Sequence, residues 1–435
     1  MSRLLLLAIV ATAISLGRAQ VISQHTTVRH HREVDDSDNS VEISQAEEAM
    51  TKKDFASAEK TLLEVTAKND KNYRAWFDLG YIYNATDRQP QSIDAYRKSV
   101  AANPAIFEST LNLGIMLARA HDPEAEKFLR GATKLKPTAR EEEGWYRAWL
   151  MLGHVLEPTK PQEAVEAYEN AGKLQPKEAE PHLAAGLLLE AQKQYPQAAA
   201  EYQKAAELDP KSTEALAGLV NAYSQAGQVA SAEAALRKFI ALDPNNSTAH
   251  VQLGRLLAAQ HKWPEATSEL EAGLKLKPGD LQAERQLASI YLDQKQFDAA
   301  APHVQAALTA APNDGELHHW MGQILVAQKK FPEAQSELIA ALKLKPDLGE
   351  AYGDLAFVGS ETQNYPLTIK ALDARAKFLP EIPITYFLRA TAYDHLHDAK
   401  EAAANYHKFL EVAGGRFPEQ EWQAKHRLIA IEPKK

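Results

Sequence analysis

Nine prolines, at positions 104, 137, 176, 210, 244, 278, 312, 346 and 380, cut this chain into near-equal lengths. From Pro176 to Pro380 the interval is 34 residues every time; before that it is 33 and then 39. A fixed period of this size means one supersecondary unit, repeated and stacked, each copy covering the apolar face its neighbour leaves bare. The period also overrides the domain count that 435 residues would otherwise suggest, because stacked units contact only their neighbours.

Within each period the residues follow a helical grammar. Ala164, Ala198, Ala232, Ala266, Ala300 and Ala334 each stand 12 residues before a proline of the series. Four residues further on comes a larger apolar side chain: Tyr168, Tyr202, Leu236, Leu270, Val304 or Leu338. That spacing puts both side chains on one helix face. Twelve residues before most of the alanines stands a small residue, as at Gly186, Gly254, Ala288 and Gly322, often with Tyr or Leu three beyond it. The pattern predicts two amphipathic helices per unit, closest together at the small residue. The proline stops the second helix, since it lacks a backbone donor and disfavours helical geometry in the residue before it. Polar residues such as Ser212 then start the next unit.

Trp76, Leu79, Gly80 and Tyr83 reproduce the pattern W-x2-L-G-x2-Y, and Ala198, Tyr202, Ala205 and Pro210 continue it. In these residues the chain resembles the tetratricopeptide repeat family, over about residues 41–413 and eleven units. The resemblance implies an all-α solenoid of helical hairpins wound into a right-handed superhelix. Residues 41–137 form a shorter block and 138–413 a longer one. Between them the inserted Thr138 to Gly144 makes either a hinge or an extended first helix with an acidic end. Gly414 and Gly415 stop the last unit, and residues 414–435 are expected to form a capping helix and tail, with Pro418 at its start and Trp422 and Leu428 turned inward.

The N-terminus reads as a processing signal. Arg3 precedes an apolar stretch from Leu4 to Leu16, and Gly17 and Ala19 place small residues for cleavage before Gln20. The stretch is short of the ~20 residues a membrane span needs. Residues 20–40 lack apolar periodicity and carry the acidic run Asp35-Asp36-Ser37-Asp38, so a disordered linker is expected. The mature chain is then expected to be exported, periplasmic or secreted, with no integral membrane span; the competing reading is an uncleaved N-terminal anchor. Residues 1–19 hold two Arg and no acid, so their removal takes the net charge from −9 to −11, unsuited to nucleic acid. With no cysteine, a disulfide framework, a thiol nucleophile and a zinc–thiolate site are excluded.

The resemblance implies that the first helix of each unit lines a concave groove, through positions three before, one after and four after the small residue. These positions hold Phe77, Tyr81 and Asn84, then Asn221, Arg255 and Arg285, then His319 and Gln323. Leu150, Leu183 and Leu187 make the fourth and fifth units apolar. Amide and guanidinium groups bond a peptide's backbone and carboxylates, and the aromatic rings take its side chains, so a protein or peptide partner is expected. The competing reading is an ordinary solvated helix face. The carboxylate clamp of some family members is not reproduced, since Ala217 stands where its Lys belongs.

Other chemistries find less support. There is no phosphate loop, no G-x-S-x-G and no H-E-x-x-H, so no catalytic residue and no cofactor is assigned. Glu201, Glu269 and Glu337 recur in phase as if on solvated faces. Asp394-His395-Leu396-His397-Asp398 holds metal-ligand residue types but falls in an inter-helix turn, and no metal is assigned to it. A scaffold in a polysaccharide or protein secretion system is the alternative function; glycan contact would want aromatics in a row, with Trp263 and Trp320 as candidates.

Overall fold

The computed structural model describes residues 41–432; the processing signal and the linker expected at 20–40 lie outside the described residues. Among the described residues, 23 helices form eleven hairpins and a closing helix, Pro418–Ile431. The A (first) and B (second) helices of the seventh hairpin are Ser247–Ala259 and Trp263–Leu276; those of the ninth are Gly315–Ala327 and Phe331–Leu344. The helices gather into two compact units, one through Ala235 and one from Leu236. The division falls within Val229–Leu242, the B helix of the sixth hairpin. The insertion after Pro137 is absorbed by an A helix, Glu141–Leu156, that runs to 16 residues where the seventh hairpin's has 13.

Within a hairpin the fit is small against large. A Cβ at Gly254 would stand 2.6 Å from Leu270, one at Gly322 2.7 Å from Leu338, and one at Gly186 2.8 Å from Tyr202. Those are approaches no side chain would tolerate, so in these hairpins the helices meet where Cβ is missing; elsewhere Ala or Val fills the position. Ala266 and Ala334, four residues before those leucines, are fully buried at the same contact.

The B helices before Pro104 and before Pro176 to Pro346 end two residues short of the proline; those before Pro137 and Pro380 end five short. The intervening residue is extended, with φ −123° and ψ 87° at Asp209 and φ −136° and ψ 84° at Lys345, as a residue before proline must be. Ser212, Asn246, Asp280 and Asp314 then cap the following A helices, accepting backbone N–H groups of Ala215, Ala249, Ala283 and Leu317.

The turn between A and B helices adds a second beat. Lys193, His261, Lys295, Lys329, Gln363 and His397, at 34-residue multiples from one another, are all left-handed, as are Lys53, Asp87 and His121; φ lies between 54° and 61° in all nine. Only the sixth hairpin fills this position with the residue that adopts it freely, Gly227 at φ 71°.

The closing helix buries Ala424 and Leu428 against Phe387, Tyr406 and Phe409 of the eleventh hairpin. Arg427 donates to both oxygens of Asp394 at 2.6 and 2.7 Å, and this holds the Asp394 carboxyl below the usual carboxylate range. The expectation for Trp422 is corrected. It is 61% exposed and sits against His426, because the face carrying Ala424, Arg427 and Leu428 is the one that docks. Among the described residues no helix is long and apolar enough to cross a membrane.

Candidate partner-binding site

The A helices of neighbouring hairpins lie side by side, so residues about one period apart meet across them. That proximity reassigns most of the expected groove residues. In the first unit, Phe77 is only 5% exposed and packs edge-on against Tyr96, with ring centroids 5.7 Å apart, beside Leu113 and Met116. It is core, not groove lining, because the position three before the small residue points between two A helices. Tyr81 is half-buried against the core of the first hairpin. Asn84 accepts a hydrogen bond from Arg119 Nη1 at 3.2 Å, 35 residues away. Asn221 donates through Nδ2 to Glu190 Oε1 at 2.5 Å, 31 residues back. Glu190 also accepts the Tyr202 hydroxyl at 2.6 Å, and burial together with this carboxylate pushes that phenol up.

The second unit repeats the pattern with charges. Arg285 is ion-paired to Asp314 and, at 3.0 Å, to Glu316, and it lies over the Trp320 ring at 5.3 Å. Lys345 meets the same Glu316 at 2.6 Å. The hydrogen bond from Lys345 is the leading reason that the Glu316 carboxyl lies below its ordinary value, with Arg285 adding to it against burial. His319 is buried, and its Nε2 contacts Asp354 Oδ2 at 2.8 Å, again 35 residues on. Arg285 and His319 therefore join one hairpin to the next, and neither is free for a ligand as expected.

Two of the expected residues stay open. Arg255 is exposed and pairs with none of the described residues, and Gln323 is half-buried with its amide uncommitted. Both stand one residue after the small position. The equivalent residues of the eighth, tenth and eleventh hairpins are Ser289, Phe357 and Thr391. Phe357 is 38% exposed, its ring resting edge-on against Phe331. Sequence reasoning passed over Phe357, although it lies 102 residues, three periods, after Arg255. The second unit thus presents one register position carrying a cation, hydroxyl and amide groups and a partly exposed aromatic ring.

The other candidates are accounted for locally. Glu201, Glu269 and Glu337 are not simply solvated; each contacts a histidine of its own hairpin's A helix. His395 stacks on Tyr365 at 4.4 Å, Asp398 caps the helix Ala399–Ala413, and His397 holds the left-handed turn. Trp263 opens a B helix and Trp320 lies under Arg285 within an A helix, so the two form no row.

A family model described as the cilia and flagella-associated protein 70 C-terminal domain matches residues 139–356, half of the chain. A tetratricopeptide repeat model matches residues 43–106. The chain belongs to the tetratricopeptide repeat family. As such an array it is a scaffold for protein–protein contacts, from a family whose members are typically non-catalytic. No curated protein matches it. Among solved structures, the pilF protein of Pseudomonas aeruginosa is 20% identical, over 49% of this chain and 97% of its own, at a TM-score of 0.41. YrrB, described as a TPR protein with an unusual peptide-binding site, is 23% identical over 43% of this chain and 96% of its own, at 0.38. MamA from Desulfovibrio magneticus is 18% identical over 38% and 94%, at 0.36. At such TM-scores these likenesses add nothing to the tetratricopeptide hairpins already described.

Proposed function

We propose that this tetratricopeptide array is an exported adaptor that holds an extended segment of a protein partner along the A helices of its second unit. The observation that carries the reading is Arg255, an exposed guanidinium with no internal partner at a position whose register mates are Ser289, Gln323, Phe357 and Thr391. Arg285, by contrast, is neutralised by Asp314 and Glu316. Arg255 takes an acidic side chain of the partner, Gln323 its backbone, and Phe357 an apolar side chain. Export rests on Arg3, the apolar Leu4 to Leu16 and the small residues before Gln20.

Affinity capture from the native source, followed by mass spectrometry, tests the groove. Arg255→Glu and Phe357→Ala together should remove the captured partner while far-ultraviolet circular dichroism stays unchanged. Undiminished capture would overturn the assignment. Reversing Arg285 as well would spoil the experiment, since it breaks an internal ion cluster. The N-terminal mass of the native protein tests export: a chain starting at Gln20 supports it.

A second reading follows from the match over residues 139–356, whose family model is named for a ciliary and flagellar protein. In that reading the same groove serves a ciliary assembly and the N-terminal stretch is retained. A native mass that includes residues 1–19 would favour it over export.

A further inference from the structure

Four histidines contact a glutamate 19 residues away, always between the two helices of one hairpin. His182 Nδ1 meets Glu201 at 2.7 Å in the first unit. In the second, His250 meets Glu269 at 2.7 Å, His303 meets Glu284 at 2.7 Å, and His318 meets Glu337 at 2.6 Å. All four use the same two sites: four residues before the small position on the A helix, and three after the alanine on the B helix. In the eighth hairpin the residues are exchanged, with Glu284 on the A helix and His303 on the B helix. The contact survives the exchange, so the pairing itself, rather than either residue's helix preference, is what these hairpins share.

The second ring nitrogen fixes the protonation state in two of them. His250 Nε2 lies 3.1 Å from the Pro244 carbonyl oxygen, and His318 Nε2 lies 3.0 Å from the Pro312 carbonyl oxygen. A carboxylate and a carbonyl only accept hydrogen bonds, so a ring between them must donate from both nitrogens, and that is the imidazolium form. The carbonyl belongs to the proline that ends the preceding repeat. Each of these rings therefore ties three pieces of chain together: its own A helix, its B helix and the exit of the hairpin before.

We propose that His250 and His318 are pH-responsive clasps: the imidazolium ties its glutamate to the preceding proline carbonyl, and loss of the Nε2 proton opens the tie to that carbonyl, so that the array loosens as the medium turns alkaline. The charged and titratable groups against the rings are Glu201 with its ion-paired Lys204, Glu269, Glu284, and Glu337 with Asp314; Tyr291 stacks on His303. Burial pulls the His318 ring down, but its bonds to Glu337 and the Pro312 carbonyl and the nearby Asp314 raise it above its ordinary value. A raised histidine stabilises fully below its unfolded value of about 6.5 and stops doing so as pH climbs through its folded value. On the acid side, burial opposes ionisation of Glu201, yet His182 and Lys204 hold its carboxyl low, so that contact lasts until pH falls through the lowered value. The His318 clasp is therefore closed on the acid side of its raised value.

The test uses the full chain. Hydrogen exchange, corrected for the intrinsic rate, should show backbone amides in the first turns of Ser247–Ala259 and Gly315–Ala327 opening at least five-fold more often at pH 8.5 than at pH 6.0. In His250→Gln/His318→Gln the two pH values should give the same opening. Equal opening in the native chain, or an unchanged pH response in the double variant, would overturn the proposal. Nitrogen-15 spectra of the native chain read the rings without any substitution: signals of both ring nitrogens in the imidazolium range at pH 6.0 are expected, and neutral rings there would also overturn it.

Discussion

The seventh and ninth hairpins are built on one plan and use it differently. Both hold glycine against leucine at the helix contact, and both carry the histidine clasp to a preceding proline carbonyl. They part at the groove. The ninth commits His319 to Asp354 of the next hairpin, whereas the seventh leaves Arg255 exposed. The difference is first one of register. His319, like Arg285, stands three residues before its small residue, and Arg255 stands one after; the acid 29 residues after Arg255, Glu284, is already held by His303. A groove residue is structural or available according to its register position and to whether the acids near it are already committed.

The shared part of the comparison should yield the largest effect. Ala266→Leu in the seventh hairpin, or Ala334→Leu in the ninth, overpacks the close contact and should cost about 1–3 kcal/mol in chemical denaturation. A large loss in one and none in the other would mean that the two contacts are not equivalent. His319→Ala should cost about 1–3 kcal/mol, since it strips a buried hydrogen-bonding group from Asp354. Lys329→Gly, at the left-handed turn of the ninth hairpin, should raise stability by about 1 kcal/mol, and Gly227→Ala in the sixth should lower it by a similar amount. Arg255→Ala should change stability by no more than about 0.5 kcal/mol, the effect of an ordinary surface substitution. A large loss there would show that Arg255 has an internal role and would remove the contrast with His319.

Much of the array was legible because its determinants repeat. The prolines mark helix exits, and Gly186, Gly254 and Gly322 mark close contacts, each a steric requirement tied to one residue type. The left-handed beat was not legible, because Lys, His, Asp and Gln fill it where glycine would have announced it. The groove was half legible. Register put Arg255 and Gln323 at positions the structure leaves open, but Phe77, Asn84, Asn221, Arg285 and His319 turned out to be engaged by core packing or by residues 29 to 35 positions away. Glu201, Glu269 and Glu337 looked like solvated acids because a 19-residue spacing between helices falls outside any one-helix pattern.

The docking of Pro418–Ile431 bears on how many copies of this chain travel together. Ala424 and Leu428 cover Phe387, Tyr406, Phe409 and Ala413, a surface of the kind each hairpin offers the next. A chain cut after residue 413 would end in a growth face with nothing to stop on, and another molecule's first hairpin is the nearest thing in solution to the repeat it lacks. The Arg427–Asp394 pair that fastens this helix is then a chain terminator in the polymer chemist's sense. Its loss would be read as length distribution in a sizing column before it was read as a lower melting temperature.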